Sequence, residues 1–242
     1  MKVLAVSPHL DDAAFSVGGT LAGLAKAGHD VTVLTCFTRS VAVPKGFALA
    51  CQTDKGLGPE VDYMAVRRRE DDAALAVLGV RQEHLNLLEA PHRGYDSAPA
   101  LFAGPRSDDH AWRDVADLLA SQQADLWLAP QGLGGHVDHL QVLRAVAYLH
   151  RPTAWWRDSP YILREPAARP GADLPSGLAM VELPQDRDRR GSACAAYATQ
   201  LGFQFGGACA MREALVDLPE PLLADPRALA ALTDREAPRG HR

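Results

Sequence analysis

The sequence has no excess of positive charge: 25 Lys and Arg face 30 Asp and Glu, for a formal net charge of −5. Nucleic acids and anionic membrane surfaces recruit clustered basic surfaces, so neither is an expected partner. No apolar run approaches the roughly 18 residues that span a bilayer, so membrane insertion is not expected either. The apolar start after Lys2 is broken by His9 and Asp11 before it reaches the length of a signal-peptide core. The expected location is therefore the cytoplasm. Cysteine is sparse: Cys36, Cys51, Cys194 and Cys209 form no CxxC pair, which points to reduced thiols and away from a cysteine-built zinc site. Both GxGxxG and a glycine-rich loop ending in Gly-Lys-Ser/Thr are missing. Gly18-Gly19 lies inside a helical pattern and suits close helix–sheet packing better than phosphate binding. The sequence has no internal repeat and no low-complexity tract.

What is present is alternation. Hydrophobic residues make up 47% of the 242 positions, enough for a substantial core. Strand patterns at 2–7, 30–37, 84–88 and 125–130 alternate with helical patterns at 13–28, 61–79, 109–123 and 137–150. This rhythm predicts an α/β fold, a Rossmann-like, mostly parallel sheet with helices on both faces. Residues 1–150 would form the catalytic core. Residues 151–242 would be a smaller C-terminal α/β annex completing the sheet and cleft, with strands at 153–156, 161–165 and 178–184, a helix at 187–203 and a fraying end. Two Gly- and Pro-rich stretches, 38–60 and 91–108, read as long loops of the kind that border binding sites. Trp155 and Trp156 fit an apolar strand core better than a sugar-stacking platform.

Ligands of open parallel sheets bind at the carboxyl ends of strands. Two polar clusters fall there: "PHLDD", with His9, Asp11 and Asp12, after the first strand, and "GGHVDH", with His136, Asp138 and His139, after the fourth. An acid at the start of a helix is a good N-cap, and one acid needs no other explanation. Two acids and a histidine in a partly buried cleft need a counter-charge, which a divalent metal supplies. His136 and His139, three apart, share one side of a helical turn. A carboxylate and two histidines match a catalytic zinc set with one position left open for water. Acids and one histidine then remain for proton transfer and oxyanion stabilisation. The inventory fits metal-assisted amide hydrolysis.

These two motifs, with "RRREDDAALAVLG" between them and "AAYATQ" (195–200) near the end, resemble the LmbE-like/PIG-L family of zinc-dependent N-acetylglucosaminyl de-N-acetylases. The resemblance implies that His9, Asp12 and His139 hold one zinc or other divalent ion per chain, with Asp11 as the general base. It implies that His136 polarises the carbonyl, stabilises the oxyanion and protonates the leaving amine, and that Asp138 orients a histidine. Arg67 and Glu89 would face the sugar side, and His92, Arg93 and Tyr95 lie in a loop expected to border the cleft. The sequence departs from the family pattern at Leu10, Ala13, Val137 and Gly134. Some members carry a tyrosine at the last position, so either His136 works alone here or Tyr95 approaches from its loop. The implied substrate is a small N-acylated sugar or glycoconjugate, and a homo-oligomer is compatible with this reading. Two alternatives stand beside it: a non-catalytic nucleotide- or sugar-binding module, and a zinc amidase acting on a non-sugar N-acyl substrate.

Overall fold

A computed structural model describes residues 1–233. Its first strand, β1 (Lys2–Ser7), is buried from Val3 to Ser7, as a central strand covered on both faces must be. Helix α1 (Asp12–Lys26) follows, then β2 (Asp30–Thr35), α2 (Gly46–Thr53), α3 (Tyr63–Leu78) and β3 (Arg81–His84). After a long connection come α4 (Ala111–Leu119), β4 (Leu126–Pro130), α5 (Val137–Leu149) and β5 (Thr153–Trp156). The remainder supplies α6 (Tyr161–Arg164), β6 (Ala179–Val181), α7 (Arg187–Cys194), α8 (Ala198–Phe205), α9 (Ala208–Leu215), β7 (Leu222–Ala224) and α10 (Pro226–Thr233). Among the described residues, no helix is long and apolar enough to cross a membrane.

One seven-stranded sheet runs in the order β3-β2-β1-β4-β5-β7-β6. The first five of these pair in parallel, while β7 is antiparallel to both β5 and β6. The chain builds outward from β1 to β3 on one side, then returns to start β4 on the other. The gap between the ends of β1 and β4 is thus the topological switch point. Strands from beyond residue 150 extend this same sheet.

Several expected elements differ. The loop at 38–60 contains α2, held because Gln52 turns inward and donates to the carbonyls of Gly58 and Val61. The third strand lies at Arg81–His84, not 84–88. It is a polar edge strand, whereas Leu85 and Leu87 turn to pack against the core. Residues 161–164 are helical, not extended. The helix expected over 187–203 is two helices meeting at Tyr197, whose hydroxyl donates to buried Asp71 at 2.7 Å. The expected fraying fails for 222–233, which form β7 and α10; positions 234–242 lie outside the described residues. The loop at 91–108 includes a 3-10 turn at Pro99–Phe102.

Trp155 and Trp156 are core residues at 1% and 0% exposure. Neither indole nitrogen has a hydrogen-bond partner. An unpaired buried donor costs about 1–3 kcal/mol, but burying an indole removes roughly 200 Å² from water, worth about 5 kcal/mol as an upper figure. Packing decides the matter.

Helix α1 is kinked at Val17 (φ −140°, ψ 21°). The groups freed at the kink are met by side chains from far along the chain. Arg190 donates to the Phe15 carbonyl at 2.6 Å, and Glu220 accepts from the amides of Gly19 and Thr20 at 2.9 and 2.6 Å. Arg190 and Glu220 also pair with each other at 3.1 Å, both nearly inaccessible to solvent.

Candidate metal centre and cleft

The turn after β1 presents three polar side chains because a fourth does the capping. Ser7 Oγ accepts from the Ala13 amide at 3.2 Å, while Asp11, the N-cap residue of α1, makes no side-chain cap. Both carboxylates are thereby left for the cleft. Asp11 has φ 153°, a conformation that costs a non-glycine residue of order 1–3 kcal/mol and persists where surrounding structure enforces it. Asp12 Oδ2 accepts from the His9 amide at 2.9 Å, which folds the turn back over the strand end.

The second cluster opens α5. His136 is its N-cap, and its Nδ1 accepts from the Asp138 amide at 3.2 Å. A neutral ring accepting at Nδ1 carries its proton on Nε2. Burial, with the positive field of His9, pushes His136 down to about 3, so the ring stays neutral. Its Nε2 is then an N–H donor and not a lone pair.

The other two imidazoles are set the opposite way. His9 Nε2 stands 2.9 Å from Asp138 Oδ2. Although burial opposes ionisation of Asp138, Arg93 at 2.7 Å and His9 hold it well below the usual carboxylate range. His9 therefore donates from Nε2 and turns Nδ1 towards Asp12 Oδ2, 3.1 Å away. His139 Nδ1 stands 2.7 Å from Asp158 Oδ1, which leaves Nε2 3.2 Å from the same Asp12 oxygen. That Nε2 is buried and makes no directed hydrogen bond. Two imidazole nitrogens thus converge on one carboxylate oxygen, each with a carboxylate behind its other nitrogen fixing the tautomer.

Electrostatics agree with the geometry. Burial disfavours charge on all three groups, yet Asp12 is held well below its ordinary range by His139 and His9. Burial likewise opposes protonation of His139, but Asp12 and Asp158 raise it to about 9. The gap draws positive charge. Ring nitrogens of His9, His136 and His139 also lie within 4.8 Å of one another, with His136, its Nδ1 taken by the Asp138 amide, bringing a donor to the group. An orphaned buried imidazole nitrogen, a low-lying carboxylate and two tautomer-locked rings fit a divalent cation of borderline softness.

Asp11 sits beside this centre. Burial drives its carboxyl up while Arg67 pulls it down, and the outcome is about 7. Arg67, 5% exposed, is already engaged: it pairs with Glu89 at 2.5 Å, approaches Asp11 at 3.5 Å and donates to the Leu10 carbonyl at 3.2 Å. Arg67 and Glu89 do line the cleft. Arg93 and Tyr95 do not. Arg93 braces Asp109 and Asp138 from behind, and the Tyr95 hydroxyl donates to Asp109 at 2.9 Å. Tyr95 is 1% exposed because its ring packs with Ala90 and Val137, so it cannot approach the cleft from its loop.

The tyrosine at the cleft is Tyr161 from α6. A Cβ on Gly134 would lie 2.6 Å from Tyr161 Cβ, so the glycine vacates the space that Tyr161 occupies. The Tyr161 ring lies edge-on to His139, with centroids 5.2 Å apart, and lines the cleft with His136. Asp158 and Tyr161 escaped the sequence reading. The signal available was "RDSPY" directly after β5, at the same sheet edge as the other two clusters.

Fold and site together define the class: an α/β protein that gathers two imidazoles and a carboxylate, fit for a cation, at the switch point of its sheet. The chain belongs to the PIG-L family, described as GlcNAc-PI de-N-acetylase, whose model matches residues 4–149. It is 38% identical over 172 residues to 2'-N-acetylparomamine deacetylase of Streptomyces fradiae, an alignment covering 66% of this chain and 57% of that protein. It is 35% identical over 146 residues to 1D-myo-inositol 2-acetamido-2-deoxy-alpha-D-glucopyranoside deacetylase of Corynebacterium glutamicum (strain R), covering 58% and 49%. The chain thus spans about half the length of the curated relatives it matches. Among solved structures, A40926 pseudoaglycone deacetylase Dbv21 superposes with a TM-score of 0.71 at 31% identity, covering 92% of this chain and 95% of that one. The zinc-inhibited form of teicoplanin deacetylase Orf2 shares the fold, with a TM-score of 0.76 at 24% identity over 93% and 97%.

Proposed function

We infer that this chain is a zinc-dependent hydrolase that removes an acetyl or short acyl group from an N-acylated amino sugar or its conjugate. Residues 1–150 would supply most of the reacting groups and the remainder would complete the cleft. The observation carrying this reading is the convergence of His9 Nδ1 and His139 Nε2 on Asp12 Oδ2, at 3.1 and 3.2 Å, beside Asp11. The deacetylase names of the relatives support it.

In this reading His9, Asp12 and His139 hold one divalent ion per chain. When bound, the ion supplies Lewis acidity, lowering the pKa of water and polarising the amide carbonyl. Every other part belongs to the protein. Asp11, poised near neutrality by burial against Arg67, takes the proton of the attacking water as oxygen adds to the carbonyl carbon. His136 donates from Nε2 to the oxygen that becomes negative, and Tyr161 offers its hydroxyl from beside it, the ring centroids 6.4 Å apart. Collapse breaks the C–N bond, and the proton held on Asp11 passes to the departing amine. Acetate and the free amine result. Asp138, Asp158 and Arg93 work behind the reacting groups, fixing two tautomers.

The test combines metal analysis with turnover. The purified protein should hold about one divalent ion per chain and release acetate from N-acetylglucosaminides. Asp11→Asn should retain the metal and lose at least about 100-fold in kcat. A chain that takes up no metal after refolding with zinc ends the proposal. A panel of N-acyl sugars and simple N-acyl amines separates it from a non-sugar amidase.

A further inference from the structure

The segments that follow β2 and β3, together with α3, enclose another cavity, of about 370 Å³ and open to solvent. Its lining is polar throughout: Thr38, Arg39, Ser40, Arg68, His84 and Asn86. None of these residues lines the cleft that holds His136, and none enters the proposed reaction. The two segments are fastened to each other. The Arg39 amide donates to the Leu87 carbonyl at 3.0 Å, Thr38 Oγ1 donates to the Leu85 carbonyl, and Phe37 pairs with Asn86 in an isolated bridge.

Two of the lining side chains are also held in place. Arg68 donates to the Thr38 carbonyl at 2.6 Å and to Ser40 Oγ at 3.0 Å, and Ser40 in turn donates to Asp62 at 2.7 Å. These bonds occupy two of the five N–H donors of the guanidinium. His84 Nε2 stands 2.8 Å from Asp71, whose other oxygen accepts from the Tyr197 hydroxyl. Asp71 thus takes the Nε2 proton, and Nδ1 is left without a hydrogen bond among the described residues. The Arg39 side chain is exposed and has no partner among them either. Asp62 and Asp71 are engaged by Ser40 and His84, and neither carboxylate lines the cavity.

The cavity therefore offers two guanidinium groups, an imidazole and a carboxamide, and no acid. Guanidinium forks match the oxygens of a phosphate, which has more acceptors to share among several donors than a carboxylate has. An anion seated there would also favour a proton on Nδ1, since Asp71 already stands behind the ring. The volume falls within the roughly 300–1,000 Å³ of small-molecule sites.

We propose that Arg39, Arg68, His84 and Asn86 form a binding site for a phosphate group, separate from the cleft and independent of the deacetylase reading. The group is either a free phosphate ion or the phosphate of a small ester.

The experiment is calorimetry on the full chain with inorganic phosphate, glycerol phosphate and glucose 6-phosphate. The buffer holds 0.1 M sodium chloride, where exposed charges further apart than about 10 Å are largely screened. Arg39→Gln, at an exposed position without a partner, should weaken binding at least about tenfold, the loss expected of one charge-assisted hydrogen bond. Arg69→Gln, at the exposed neighbouring position on α3, should leave it within about twofold. Tighter binding of either ester than of the ion assigns the site to an esterified ligand, and the reverse order assigns it to free phosphate. Crystals soaked in tungstate, a heavy phosphate mimic, should show an anomalous peak between Arg39 and Arg68. Equal losses in Arg39→Gln and Arg69→Gln would reduce the effect to general charge and overturn the proposal. So would an anomalous peak confined to the cleft, or no heat of binding at millimolar phosphate.

Discussion

His139 Nδ1 lies 2.7 Å from Asp158 Oδ1, and neither side chain is reached by solvent. The other oxygen of Asp158 accepts from the Leu133 amide at 2.9 Å. One carboxylate, at the end of β5, therefore fixes both the orientation of an imidazole on α5 and the loop that leads to it. Asp158→Asn leaves the volume unchanged but removes the charge behind His139. The expected result is a 10–100-fold loss of zinc affinity, read by competition with a chromophoric chelator. A variant with unchanged affinity would reduce Asp158 to a purely structural role.

Tyr161→Phe removes one hydroxyl from the cleft lining near His136 and keeps the ring that packs over Gly134. If that hydroxyl donates to the developing oxyanion, kcat falls by about 10²–10³, with KM and metal content little changed. A fall in metal content instead would place the residue among the supports of the centre.

Asp109 offers a pH-linked test away from the reacting groups. It accepts from Arg93, the Tyr95 hydroxyl and the Ala111 amide. Burial opposes its ionisation, but Arg93 and these donors leave it below the ordinary carboxylate value. A depressed folded-state pKa gives stability that is fully present above the unfolded value of about 3.9. That stability is lost as pH falls through the folded value. Asp109→Asn should cost about 1–3 kcal/mol near pH 7, and the gap to the parent should close as denaturation is repeated towards pH 3. A gap independent of pH would mean that shape, not charge, matters at this position.

The parts of the site legible in the sequence were those announced by paired polar residues at strand ends. His9, Asp11 and Asp12 interrupt an apolar strand, His136 to His139 follow another, and the structure brings them within contact of one another. Arg93 and Tyr95 were misplaced because a polar loop does not reveal which way it faces. Here Asp109 and Asp138 draw the guanidinium inward and Ala90 and Val137 bury the ring. Asp158 and Tyr161 were missed because the pattern weakens after residue 150, where "YILRE" reads equally as strand or helix. The third strand was misplaced for a related reason. An edge strand paired on one side tolerates "RQEH", so hydrophobicity points to its neighbours instead.

The sealed kink of α1 bears on how the molecule is made. Helix α1 carries Asp12 in its first turn, and the Gly19 and Thr20 amides and the Phe15 carbonyl around the kink at Val17 find partners in Glu220 and Arg190. During synthesis, α1 must wait for residues 190 and 220 before these backbone groups gain their side-chain partners. The helix behind the motif at residues 9–12 is thus braced by residues 190 and 220. A polypeptide that stops short of residue 220 would carry every proposed metal ligand in its sequence yet leave the Gly19 and Thr20 amides, one turn behind them, without their carboxylate.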